Sequence, residues 1–121
     1  MSDLQEVKEF VKEVDRLRKV RKAQEQECKE QFERYSIERK ASPLTPKDEA
    51  LFQLMRLAFE DERRGSARSP YIENEEKTRA IGETLNKLGG FQAMLWAQER
   101  VPLTDQRELE ICWDGIGEWE G

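Results

Sequence analysis

The chain has 121 residues, of which 36% are hydrophobic and 39% charged, and its net charge is −5. This length fits one domain, but so high a charge content is typical of solvated helices around a modest core. The chain contains no histidine, which excludes Ser-His-Asp and Cys-His catalytic sites and histidine-ligated zinc.

The first predicted helix starts at Ser2 or Asp3 as N-cap and runs to about Lys40, because no proline or glycine interrupts this segment. It would be roughly 55 Å long, so we expect one end to pack on the rest of the chain and the other to project. Its heptad pattern is apolar at both ends and polar in the middle. The heptad positions are Leu4, Val7, Val11, Val14, Arg18, Arg21, Glu25, Cys28, Phe32 and Tyr35, and Phe10 and Leu17 widen the apolar stripe.

This pattern predicts that the first helix binds other protein subunits or a second copy of the chain. An antiparallel self-pair centred near Arg21 would set Arg18 against Glu25 and Val11 against Phe32. The predicted partner-binding residues are Val7, Val11, Val14, Arg18, Arg21, Phe32, Tyr35 and, near the end of the chain, Trp119.

Five of the seven residues from Arg16 to Lys22 are basic. They could grip phosphates, which makes a nucleic-acid-associated regulator an alternative function, or contact an acidic protein surface. Residues 71–121 supply such a surface, with 11 acidic and 5 basic side chains. The net acidity and the lack of aromatics in the basic segment argue against nucleic acid as a partner. A solvated helix face is the simpler interpretation.

Pro43 and Pro46 end the first helix. Thr45 is the predicted N-cap of a second helix, which begins at Pro46 and reaches about Arg64, before Gly65.

A third predicted helix begins near Pro70–Ile72 and reaches Leu88, and Gly82 within it allows a close helix contact. Gly89 and Gly90 form its C-terminal cap, and a short fourth helix follows over residues 91–100.

Asp105 is the predicted N-cap of a fifth helix, with Glu108 completing a capping box, and Gly115 ends it. In the tail, Gly115 and Gly117 permit a chain reversal. Trp119 is then either a core residue or an exposed anchor for a partner, and we favour the core position.

Two acidic clusters allow a second alternative, a small carboxylate-dependent enzyme with a hard metal or an acid–base pair. Solvated acidic surface is the simpler interpretation of both. The clusters are Asp114, Glu118 and Glu120, and Glu73, Glu75 and Glu76.

These elements predict an all-α protein, with a long projecting helix in residues 1–41 and a compact cluster of about four helices in residues 42–121. The predicted function is non-catalytic interaction or assembly, by an adaptor or structural subunit acting through helix–helix contacts without a cofactor. Two isolated thiols, Cys28 and Cys112, and a polar start predict a cytoplasmic, reducing location. No apolar run approaches the ~20 residues that span a bilayer, so no membrane insertion is expected.

Overall fold

The computed structural model describes residues 2–60 and 69–120, without the side chain of Ser2. Every regular secondary-structure element in these residues is a helix, which confirms the predicted all-α fold class. They are α1 (Ser2–Ala41), α2 (Pro46–Glu60), α3 (Pro70–Glu73), α4 (Glu75–Gln98) and α5 (Leu103–Cys112). A long N-terminal helix is thus followed by several shorter ones.

Thr45 begins α2 as predicted. Its hydroxyl oxygen accepts a hydrogen bond from the Asp48 amide at 3.2 Å, and its carbonyl accepts one from the Glu49 amide at 2.8 Å. Pro46 takes the first helical position, where the missing N–H leaves no bond unmade. The predicted end of this helix near Arg64 lies outside the described residues.

The prediction of one unbroken helix over residues 70–88 is wrong, because the chain leaves helical geometry at Asn74. This residue has φ −120° and ψ 43° and separates α3 from α4. Its side-chain amide donates to the Pro70 carbonyl at 2.8 Å, and the Thr78 hydroxyl donates to the Asn74 carbonyl at 2.9 Å. Such local side-chain bonds compete with the regular helical pattern.

Helix α4 changes direction at Gly89 and Gly90, where the sequence predicts a helix boundary. Both residues have non-helical dihedral angles, and Gly90 has a φ of 66°, in the left-handed region that favours glycine. The predicted fourth helix is therefore the part of α4 that follows Gly90.

The predicted start of the fifth helix is wrong by three residues. Pro102, not Asp105, occupies the N-cap position of α5. Asp105 lies in the first turn, where its amide donates to the Pro102 carbonyl at 2.9 Å, so Asp105 and Glu108 do not form a capping box. The fixed φ of proline already sets the chain for a helix start, which leaves Asp105 inside the helix.

A close contact between α4 and Trp113 closes the core. A Cβ atom added to Gly82 would lie 2.5 Å from the Trp113 indole nitrogen, so only glycine fits there. The same nitrogen donates to the Thr78 carbonyl at 2.8 Å. Trp113 is fully buried, and the predicted role of Gly82 in a close contact is confirmed.

The C-terminal tail folds back over this core, as predicted. Gly115 and Gly117 have φ values of 87° and 55°, and these left-handed residues reverse the chain. Trp119 is 4% exposed and packs edge-on against Trp113, with ring centroids 5.2 Å apart. Its indole nitrogen donates a hydrogen bond to the Glu110 carbonyl at 3.1 Å.

The C-terminal half of α1 docks on the following helices through aromatic side chains. Phe32 stacks on Phe52 with ring centroids 5.2 Å apart, and it also contacts Phe59 at 5.6 Å. The Tyr35 hydroxyl donates to the Asp48 carboxylate at 3.0 Å. We call the structure formed by α2–α5 and the tail the body.

Gln24 marks the point where α1 leaves the body. Its side-chain amide donates to the Val101 carbonyl at 2.7 Å, and its amide oxygen accepts from the Leu103 backbone at 2.9 Å. Four residues later, the Cys28 thiol donates to the Arg100 carbonyl at 3.2 Å. Residues 3–23 are exposed, apart from the half-buried Val14. Residues 2–23 therefore project from the body over about 33 Å, at ~1.5 Å per residue, and we call them the projecting half of α1.

Candidate interaction surface

The projecting half of α1 carries a row of apolar side chains that the body does not cover. Phe10 is 69% exposed and Leu4 is 63% exposed. We call this row the apolar stripe, and its members are Leu4, Val7, Phe10, Val11, Val14 and Leu17.

The stripe forms one continuous surface. Successive residues of an α-helix are rotated by about 100°, so the six side chains cover about 140° of the helix circumference. From Leu4 to Leu17 they extend for about 20 Å along the axis, at ~1.5 Å per residue. This width and spacing are those of a helix face that packs against another helix.

The stripe lies on the same side of α1 as the face that docks on the body. With a rotation of about 100° per residue, the mean direction of the stripe side chains differs by only about 40° from the mean direction of Cys28, Phe32 and Tyr35. Those three residues are buried against the body. One side of α1 is therefore covered by this chain's own body from Gln24 onward and left bare before it.

The predicted partner-binding residues fall into two groups. Val7, Val11, Arg18 and Arg21 are exposed on the projecting half, and Val14 lies among them, half-buried. The structure therefore brings these five predicted residues together on one free segment.

Phe32, Tyr35 and Trp119 belong to the core instead. They are 9%, 7% and 4% exposed, respectively, because Phe32 and Tyr35 fix α1 to α2 and Trp119 closes the space beside Trp113. In this fold the three side chains are buried, so the candidate surface ends before Gln24.

The antiparallel self-pair centred near Arg21 is wrong for the same reason. It requires Phe32 to meet Val11 of a second copy, but the Phe32 ring already faces Phe52 and Phe59 of its own chain. Periodicity identified the apolar side of α1 without showing that the body covers its second half.

Leu4, Phe10 and Leu17 extend the surface beyond the residues predicted for it. All three are exposed on the side that carries Val7 and Val11. The sequence feature that indicates them is the helical period of 3.6 residues. Phe10 and Leu17 are seven residues apart and lie beside the heptad positions on the same helix face.

The basic segment from Arg16 to Lys22 is exposed along its whole length. Its side chains surround the helix, since Arg18 and Lys22 continue the line of the stripe whereas Arg16 and Lys19 point away from it. Arg16 is paired with Glu13, and its hydrogen bond lowers the pKa of that carboxyl. A nucleic acid lying along one side of α1 would therefore meet only part of this charge.

The acidic clusters do not assemble into a cation site. Within residues 2–60 and 69–120, no group of three or more Cys, Asp or Glu side chains is placed to hold a metal ion. Asp114, Glu118 and Glu120 are exposed, as are Glu75 and Glu76. The carboxylate-dependent enzyme stays a prediction, and the described acidic residues form no metal site that would support it.

Both thiols are buried and unbridged. Burial raises the pKa of Cys28 to about 11, and the neighbouring Glu27 and Glu25 charges act in the same direction. Burial also raises the pKa of Cys112. Nucleophilic cysteines require the opposite shift, toward the thiolate.

No helix in the described part of the chain combines the length and the apolarity needed to cross a bilayer.

The fold and the stripe define a class of protein: an all-helical protein with an exposed amphipathic helix segment. Comparison with protein-family models, with curated proteins and with solved structures finds no match to this chain. A function for it is therefore proposed from the geometry and chemistry of its own residues.

Proposed function

We propose that this protein is a non-catalytic assembly or adaptor subunit that binds protein through the apolar stripe of α1. The observation that carries the proposal is the exposure of the stripe on a helix segment that its own body leaves bare. Monomeric folded proteins rarely leave large contiguous apolar patches in water, and those they do leave are often binding sites.

The size of the stripe supports a specific but modest interaction. Its six side chains expose roughly 500 Å², near the largest patch found on ordinary monomers. Removing that area from water would contribute about 12 kcal/mol at ~25 cal/mol per Å². Association costs about 4–15 kcal/mol in lost freedom, so the net affinity expected is weak to moderate.

A partner that offers an apolar helix face fits the stripe best. The stripe is straight, about 20 Å long at ~1.5 Å per residue, and bordered by charged side chains. A helix laid along it would bury the apolar side chains of both partners and leave the charges at the rim, as in a coiled coil.

The thiols and their surroundings support the non-catalytic part of the proposal, and we add to it an intracellular, reducing location. The raised pKa values of Cys28 and Cys112 favour the protonated, unreactive thiol in both cases. Two unbridged cysteines in one chain fit a reducing compartment.

The test is quantitative affinity isolation with the double variant Val7→Glu, Val11→Glu. Two charges in the middle of the stripe should remove the binding of partners that co-purify with the wild-type protein in fixed ratio. Both residues are exposed, so the thermal unfolding midpoint of the body should stay within about 2 °C of wild type.

Ile37→Glu is the matched control, because Ile37 is an exposed apolar residue of the same helix outside the stripe. It should retain every partner. Identical partner profiles for the double variant and the wild type would overturn the proposal.

A further inference from the structure

We propose that the occupant of the apolar stripe is α1 of a second copy of this chain, bound antiparallel and centred near Glu9. This inference rests on the proposed function, because it assumes that the stripe is a protein-binding surface. It adds the partner, the direction and the register, each of which follows from where the body sits on α1.

The position of the body excludes a parallel pair. The stripe and the docked residues Cys28, Phe32 and Tyr35 face the same side of α1. Two helices packed along their stripes would be about 8–10 Å apart. In a parallel pair both bodies would lie in that gap from Gln24 onward, where neither fits. In an antiparallel pair the bodies lie at opposite ends.

The polar residues of α1 then select the register. With the centre near Glu9, Leu4 lies opposite Val14 of the second copy, and Val7 lies opposite its Val11. The next heptad register would instead set Leu4 opposite Arg21 and Val7 opposite Arg18, burying arginines against apolar side chains. The opposite shift leaves only Leu4 and Val7 overlapping.

The chosen register also leaves room for both bodies. The apolar stripe of the second copy begins at its Leu4, which falls opposite Val14. The first body contacts α1 only from Gln24 onward. The two apolar stripes therefore overlap from Leu4 to Val14 without meeting either body.

The charges along one edge of the stripe complement each other in this arrangement. Lys8 and Asp15 flank the same edge, and both are exposed. A two-fold axis perpendicular to the helices brings that edge of each copy against the same edge of the other. Lys8 of each copy then lies within reach of Asp15 of its partner, at both ends of the overlap.

The pairing is short, with only four layers of apolar contact, so we expect a dimer that dissociates on dilution. Sedimentation equilibrium of the full chain should show a monomer–dimer equilibrium. Val7→Glu, Val11→Glu should remove the dimer and leave the circular dichroism spectrum of the monomer unchanged.

Charge reversal tests direction and register together. Lys8→Asp makes the edge acidic, and Asp15→Lys makes it basic. Each dimer contains two Lys8–Asp15 ion pairs, and an exposed ion pair contributes ~0.2–1 kcal/mol. Each variant alone should therefore dimerise about tenfold more weakly than wild type. An equal mixture of the two should regain at least wild-type dimerisation, as a heterodimer. In a parallel pair this edge would face the other edge of its partner, and mixing would restore nothing.

Glu9→Lys is the control, because it changes the charge by the same amount as Asp15→Lys on the opposite side of the helix. It should leave the dimer intact. A mixture of Lys8→Asp and Asp15→Lys that stays as weak as its components would overturn the antiparallel register.

A wild-type chain that stays monomeric at every concentration would overturn self-pairing altogether. If that monomer still bound another protein through Val7 and Val11, only the present inference would fail. If the double Val variant matched the wild type in both assays, the proposed function would fail as well.

Discussion

The two halves of α1 carry the same kind of sequence and have opposite surroundings. In the C-terminal half, Phe32 and Tyr35 are buried against α2. In the projecting half, Val7 and Phe10 occupy the same side of the helix and face water. Charged residues separate the two apolar runs, and the body covers only one of them.

The difference shows that an amphipathic period defines a face without defining what covers it. The docked half uses aromatic side chains, whose large area and ring contacts hold it to the body. The projecting half carries mainly aliphatic side chains and one phenylalanine, and the body covers none of the corresponding area.

The largest expected effect comes from shortening the equivalent phenylalanine in each half. Phe32→Ala removes the ring that stacks on Phe52 and contacts Phe59, and it should lower the free energy of unfolding by about 3 kcal/mol. Phe10→Ala changes an exposed side chain and should alter it by less than about 0.5 kcal/mol. Urea denaturation followed by circular dichroism measures both, and equal losses would contradict the division of α1 into two halves.

A smaller effect is expected where the helix leaves the body. Gln24→Ala removes two hydrogen bonds, to the Val101 carbonyl and the Leu103 amide, and should cost about 1–2 kcal/mol in denaturant unfolding. Gln26→Ala is its control, because the Gln26 amide bonds only to Glu30 within the same helix. If both variants unfolded at the same urea concentration, Gln24 would not mark the boundary.

The smallest effect concerns the ion pair that joins α1 to α2. The Arg39 guanidinium hydrogen-bonds Glu49 at 2.8 Å, which lowers the pKa of the Glu49 carboxyl below its usual 4.5, with a second contribution from the Gln53 amide. A lowered folded-state pKa stabilises the fold above pH 4.5, and this stability is lost as the pH falls through the folded value.

Glu49→Gln should therefore reduce stability by about 0.5 kcal/mol at pH 7, since both side chains are about one-third exposed and solvent screens the pair. The difference from wild type should shrink in acid as Glu49 becomes protonated. Glu33→Gln, at an exposed position of α1, should match wild type at both pH values. A Glu49→Gln difference that did not depend on pH would contradict the proposed role of the carboxylate.

Local rules were sufficient for several elements of the fold. Proline and threonine placed the start of α2, and paired glycines placed the kink of α4, because backbone restrictions act over one or two residues. The reversal of the tail was predictable from Gly115 and Gly117, and with it the burial of Trp119.

Competition between local signals limited the rest. Asn74 interrupts a segment whose apolar period continues through it, and Pro102 starts α5 ahead of the stronger capping residue Asp105. Phe32 and Tyr35 were grouped with Val7 because they share a helix side. Only tertiary structure shows that the body already covers them, so the sequence located the candidate surface on the first half of α1 but also extended it to the buried second half.

The placement of the tryptophans has a spectroscopic consequence. The body contains all three tryptophans, Trp96, Trp113 and Trp119. The Trp96 ring centroid lies 4.2 Å from the Lys47 ammonium and 4.8 Å from the Arg100 guanidinium. The projecting half contains no tryptophan or tyrosine. Intrinsic tryptophan emission therefore reports on the body alone, and a single tryptophan introduced at Phe10 would give the projecting half of α1 a signal of its own.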